Sequence, residues 1–121
     1  MDDPAIDDRD MDIVFQALAH ESRRRMLDLV RNAPGIGVGE LAQEFDVSRI
    51  AVMKHLAVLE EAGLIVSQKE GRTRRLYFNA VPIQIIYDRW TDEYSGYWAK
   101  RVASIKYAAE AAAKARRGED R

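Results

Sequence analysis

LAQEFDVSRIAVMKHLAVLEEAGLIVSQKEG, residues 41–71, decides the fold. It reads as a short helix, a tight turn, a second helix and then a strand running toward a basic hairpin. That order offers one helix to the major groove of DNA and a charged loop to the phosphates beside it. At about 100° per residue, Arg49, Ile50, Met53, Lys54 and Ala57 share an arc of about 140°, and Val52, Leu56, Leu59 and Gly63 share the opposite side. The second set predicts core, the first an outward face. Ser48 is the predicted N-cap, because its hydroxyl can accept from an unpaired backbone N–H of the first turn, and Gly63 is the predicted stop. Upstream, Val38, Leu41, Ala42 and Phe45 have helical spacing, and Phe45-Asp46-Val47 reads as the turn, with Asp46 tolerating a left-handed backbone.

On the outward face, Arg49 and Lys54 suit guanine edges or phosphate, and Ile50 and Met53 suit a thymine methyl. Taken alone, the same helix also fits an ordinary amphipathic helix with a solvated basic face. The next segment, Leu64 to Ala80, favours the first reading. LIVSQ and RLYFNA are two strand-like runs joined through Lys69-Glu70-Gly71-Arg72-Thr73, and Lys69, Arg72, Arg74 and Arg75 outweigh Glu70. A basic tip beside a helix-turn-helix suits phosphate contact or minor-groove insertion.

From about Phe15 to Ala109 the chain resembles an ArsR/SmtB-type winged helix-turn-helix repressor. FQALAHESRRRMLDLV, VGELAQEFDVSRIAVMKHLAVLEEAGLI and KEGRTRRLYF carry the resemblance. It implies a mainly α fold with a small β-hairpin wing, N- and C-terminal dimerisation helices, and a homodimer that binds a palindromic double-stranded DNA operator. By position, Arg49, Ile50, Met53 and Lys54 fall on the groove-reading residues and Arg72 on the wing tip. The predicted DNA-binding set is Ser48, Arg49, Ile50, Met53, Lys54, Lys69, Arg72 and Arg74. Metal sensors of this type use cysteines on the helix before the reader, or His and carboxylates on the last helix. Here Gly37 and Gly39 stand where that cysteine pair would be, and the last helix has no histidine.

The 121 residues suit one domain, with 47% hydrophobic and 32% charged residues. The formal net charge is only −1, but it is unevenly placed. Residues 1–12 hold six Asp against Arg9, while residues 47–79 hold six cations against three Glu. The expected organisation is an acidic disordered arm over residues 1–9, a winged domain over 10–112 and a flexible tail over 113–121. With neither a leader-like start nor a membrane-length apolar run, the expected location is the cytoplasm.

Two helices are predicted before the reader unit, Asp10 to Ala19 and Glu21 to Asn32. For Arg23, Arg24 and Arg25, phosphate contact and a solvated first turn both fit. One long helix is predicted from Ile83 through about Ala112, carrying Ile83, Ile86, Tyr87, Trp90, Tyr94, Tyr97, Trp98, Ile105 and Ala109 at steps of three or four. So broad an aromatic stripe exceeds what a small core can cover and points to a two-fold interface. Its predicted members are Met11, Val14, Phe15, Leu18, Trp90, Tyr94, Tyr97, Trp98 and Ile105.

Chemistry is little supported. His20 and His55 are the only histidines and lie far apart in sequence; His55 reads as packed and hydrogen-bonded, His20 as a helix cap. The chain has no cysteine, which excludes disulfides and thiolate metal sites. Gly35-Ile36-Gly37-Val38-Gly39 follows Pro34 and a helix, not a strand, and Glu40 replaces the third glycine of a dinucleotide fingerprint. It reads instead as a helix stop, a short extended segment that pairs with the wing, and Gly37 as N-cap. No enzyme, metal or cofactor is expected, and no effector is named by any motif. The competing reading is a winged-helix module that binds other proteins.

Overall fold

The computed structural model describes residues 7–91 and 93–118, with main chain alone at 93–96. In chain order these residues form α1 (Asp8–Leu18), α2 (Glu21–Asn32), β1 (Ile36–Gly37), α3 (Val38–Gln43), α4 (Arg49–Glu61), β2 (Ile65–Glu70), β3 (Thr73–Phe78), α5 (Val81–Trp90) and α6 (Glu93–Arg116). This is the expected winged helix-turn-helix. Contacts divide the chain after Ile86, and the segment from Tyr87 onward is a separate compact unit.

α1 begins two residues before the predicted start. The Asp7 carboxylate accepts from Asp10 N–H at 2.8 Å, and Asp8 and Asp10 place negative charge at the positive end of the helix. Part of the expected acidic arm is therefore helix cap and first turn; residues 1–6 lie outside the described set. At the other end of α1, Arg23 and Arg24 of α2 donate to the carbonyls of Gln16, Ala17 and Leu18 at 2.7–2.8 Å. These arginines close a helix C-terminus, which neither sequence reading of the cluster included. Arg25 stacks over the Phe45 ring, 4.9 Å from its centroid, and so braces the turn after α3.

The core is drawn from α1 to α4 and the wing. Met26, Val30, Leu41, Val52, Leu56, Leu59, Leu64 and Leu76 are fully buried, and Val14 and Ile65 nearly so. The inward face of α4 is the predicted one, Val52, Leu56 and Leu59. Ser48 Oγ accepts from Ala51 N–H at 3.1 Å, and Gly63, at φ +74°, carries the chain out of α4 in a conformation that a side chain would strain. The turn ahead of α4 departs from expectation: no non-glycine residue among those described has a positive φ, so Asp46 is not left-handed. Ser48→Ala should cost about 1 kcal/mol of stability, read as a lower urea midpoint at unchanged slope, while Ser48→Asn keeps the cap and stays near wild type.

β1 pairs antiparallel with β3 (Ile36 with Leu76, Gly37 with Arg75), as expected for the glycine-rich segment, and gives the sheet order β1-β3-β2. Gly37 is the N-cap of α3, with Glu40 Oε1 accepting from its N–H at 3.4 Å. After β3, Asn79 donates to the Gly63 carbonyl at 2.9 Å and accepts from Val81 N–H at 3.2 Å, setting the start of α5 against the end of α4. Ile83 and Ile86 of α5 pack on the core.

The single long terminal helix is corrected to two. α5 ends at Trp90, where Thr91 leaves the helix and its hydroxyl donates to the Tyr87 carbonyl at 2.5 Å. Thr91-Asp92-Glu93 is a helix-start signature that counting apolar residues at steps of three or four passes over. α6 then continues to Arg116, past the expected start of the tail at residue 113.

Candidate nucleic-acid interface

Because Val52, Leu56 and Leu59 fix one side of α4 in the core, its outward residues are presented by a rigid support. Arg49, Lys54 and Ala57 are exposed, and Ile50 keeps 70% of its surface in solvent. An aliphatic side chain so exposed gains nothing from the fold, which leaves it available to a base methyl. Met53 is half-buried and packs partly on the core, so it offers only part of its thioether. Ser48 uses its hydroxyl as the cap acceptor, which ties its predicted contact role to holding the first turn of α4.

The hairpin is tighter than predicted. Glu70 pairs with Thr73, so only Gly71 and Arg72 form the turn. Gly71 has φ +62° and Arg72 does not have a positive φ, which is the type II′ pattern whose twist matches the flanking strands. Arg72 therefore sits at the tip, and Lys69 lies opposite Arg74 across the ladder.

The four hairpin cations do not play equal parts. Arg74 pairs with Glu60 of α4. Arg75 lies 3.7 Å from Glu40 and 3.5 Å from Glu70, and donates to the Gly35 carbonyl at 3.3 Å. Both are engaged within the chain, Arg74 as a strut between α4 and the wing and Arg75 between the wing and the start of α3. Among the described residues, Arg49, Lys54, Lys69 and Arg72 make no such pair, and all four are exposed. Sequence reasoning missed Glu60 and Glu40, since nothing local marks a glutamate as the partner of a distant strand residue.

Arg49 and Met53 from α4, Arg72 and Arg74 from the hairpin, and Gly37 and Glu40 from the start of α3 line an open cleft of about 440 Å³. With Arg49 on one wall and Arg72 on the other, it can take a strand of polyanion between helix and wing. Among the described residues no group of three or more His, Asp or Glu is placed to hold a metal ion.

The predicted interface residues divide. Met11 and Val14 are buried within the chain at 7% and 2% exposure, so neither has area left for a second copy. Helical phase explains it: Met11, Val14 and Ala17 form the inward edge of α1, and Phe15, 46% exposed, lies beside it, with Leu18 half-buried. In the unit from Tyr87, Trp90, Tyr97, Trp98 and Ile105 are 45–64% exposed, and Val102 and Tyr107, which the sequence reading omitted, are exposed too. Tyr94 is helical, and its side chain lies outside the described residues.

Comparison with known proteins agrees with this architecture. Residues 18–68 match a helix-turn-helix domain family. The chain is 38% identical over 94 residues to the HTH-type transcriptional regulator Rv2034 of Mycobacterium tuberculosis, a match covering 74% of this chain and 86% of that one. It is 33% identical over 87 residues to the HTH-type transcriptional regulator YuzN of Bacillus subtilis, covering 67% of this chain and 95% of YuzN. A crystal structure described as an ArsR family transcriptional regulator, RHA00566, superposes with a TM-score of 0.66 at 33% identity, covering 78% of this chain and 96% of that one.

Proposed function

The chain belongs to the ArsR family of winged helix-turn-helix transcriptional regulators, and from that premise we propose that it is a homodimeric repressor that occupies a palindromic operator. One observation carries the reading. Four cations without an internal partner among the described residues, Arg49, Lys54, Lys69 and Arg72, lie exposed on the outward face of α4 and at the hairpin, and Arg49 and Arg72 line the open cleft. Arg49, Ile50, Met53 and Lys54 read base edges; Lys69 and Arg72 grip the flanking backbone, and Arg74 holds the wing at its angle to α4.

Two-fold symmetry places a second copy of α4 one helical turn along the duplex, and the exposed apolar residues of α6 supply a surface that joins the copies. Occupancy of the operator excludes polymerase. No described helix is long and apolar enough to cross a membrane, and a protein that reads chromosomal operators works in the cytoplasm.

The test is binding to duplex across a salt series. Neutralising about four phosphates per dimer, through Lys69 and Arg72 of each copy, should give a slope of about −4 in log affinity against log salt. Arg72→Ala is expected to weaken all duplexes alike and to reduce that slope by about 1 for each phosphate it frees, whereas Arg49→Ala should also relax sequence preference, by about 1–3 kcal/mol of discrimination. Equal losses on selected and random duplex for both variants would refute these roles. A slope near zero would favour a protein-binding module.

A further inference from the structure

His20 and His55, remote in sequence, meet where the α1–α2 junction packs on the back of α4. Their ring centroids are 4.5 Å apart with the planes at 48°. Arg23 joins the pair to α1. Its Nε and Nη2 donate to the carbonyls of Ala17 and Gln16, each at 2.8 Å, and its Nη1 lies 3.3 Å from His55 Nδ1. One guanidinium thus holds the last turn of α1 and the middle of α4 together.

The hydrogen bonds define where the protons are. A guanidinium has donors and no acceptor, so its contact with His55 Nδ1 requires that nitrogen to offer a lone pair. His20 Nδ1 accepts from Ser22 N–H at 3.2 Å and caps α2, so it too is unprotonated. The His55 ring is therefore neutral, with its proton on Nε2. A proton added to either Nδ1 removes that hydrogen bond, and on His55 it sets a cation against the guanidinium.

The surroundings oppose that proton. Burial first, then His20 on the junction and Arg23 on α2, hold the pKa of His55 below its ordinary value of 6.5. α1 contributes uncharged main-chain carbonyls to the cluster. A metal ion does not suit the pair, because both Nδ1 lone pairs are engaged and the guanidinium repels a cation. The direction of the linkage follows from the lowered pKa. The unfolded chain binds the proton more readily, so the contribution of the neutral ring is complete above pH 6.5 and is lost as pH falls below it.

We propose that Arg23, His20 and His55 form a proton-sensitive clamp between α1 and the operator-reading helix, so that acidification releases DNA. The proposal rests on the reading of α4 as the groove-facing helix. Its sign sets it apart from the ordinary case: a histidine facing phosphate gains charge in acid and tightens binding, whereas this cluster loosens it.

The experiment measures affinity of the full chain, at constant ionic strength, for a duplex selected from a random pool at pH 8. Between pH 7.5 and 5.5 the wild type should lose about three- to tenfold in affinity. The double variant His20→Asn/His55→Asn, whose amides accept at the Nδ1 positions without titrating, should change by less than about twofold over the same range. A wild-type affinity that holds or rises in acid, or a double variant that falls as far as the wild type, overturns the clamp.

Failure to bind any duplex at pH 8 would refute the DNA-reading premise instead, and the clamp is then decided on DNA-free protein by NMR. Amide shifts of α1 and α4 should follow the His55 ring titration with one midpoint, below pH 6.5. Indifference of those amides overturns the proposal whatever the variants do.

Discussion

Replacing Trp98 and Ile105 together by aspartate is expected to abolish the dimer and to lower affinity for a two-half-site operator by about a hundredfold or more, because the second reading head then binds as a separate event. Trp98 and Ile105 are 45% and 64% exposed on α6, and Tyr97 and Val102 extend the same apolar character. Exposed aromatic and branched residues on one helix are favourable only where another surface covers them. A carboxylate placed in such a contact must be desolvated without a partner, which costs more than the pair of copies gains from it. Sedimentation at micromolar concentration should show a monomer. Circular dichroism should be unchanged, since both positions are solvent-facing within the chain, and affinity for a single half-site should stay near wild type. A variant that remains dimeric would move the interface elsewhere.

The second large effect is thermodynamic. Leu56 is fully buried at the middle of α4, among residues from the other helices and the sheet. Leu56→Ala should cost about 2–5 kcal/mol through reduced burial and the cavity left behind. That is a large part of the roughly 5–15 kcal/mol by which small domains are stable. The check is urea unfolding at fixed protein concentration, since association with a second copy contributes to apparent stability. A midpoint shift worth less than about 1 kcal/mol would mean that the surrounding helices collapse into the space. Ile50→Ala, by contrast, removes an exposed side chain from the same helix and should leave stability nearly unchanged while altering DNA preference.

What the sequence made legible follows the range of the interactions concerned. α4 was readable to the residue because its signals are local: Ser48 is a cap acceptor, Gly63 permits the left-handed exit, and the apolar positions between them keep one phase. The wing was readable as strands, and its tip only coarsely, because Gly71 indicates a turn without saying how far the ladder runs toward it. The terminal helix was misread for the opposite reason. Residues on either side of Thr91 fit one period by coincidence, and that match outweighs the local signal of Thr91-Asp92-Glu93, where the hydroxyl bonds to the Tyr87 carbonyl.

Interactions between distant segments were not legible at all. Arg74 looks like any other wing cation until the fold sets Glu60 beside it, and Arg23 looks like a solvated first-turn residue until the end of α1 is seen under it. The two histidines could be assigned a cap and a packed position separately, yet their meeting depends on how α1 and α2 cross α4. A contact made across three helices leaves no spacing to count.

The order β1-β3-β2 gives the hairpin charges a further consequence. β1 covers β3 only at Leu76 and Arg75, and among the described residues β2 has no neighbouring strand on its outer side. That free edge is a template for strand addition by another molecule, and Val66 at its base is half exposed. Lys69 and Glu70, toward the tip, interrupt it with alternating charge, so the cations that suit a polyanion also keep the wings of crowded copies from polymerising edge to edge.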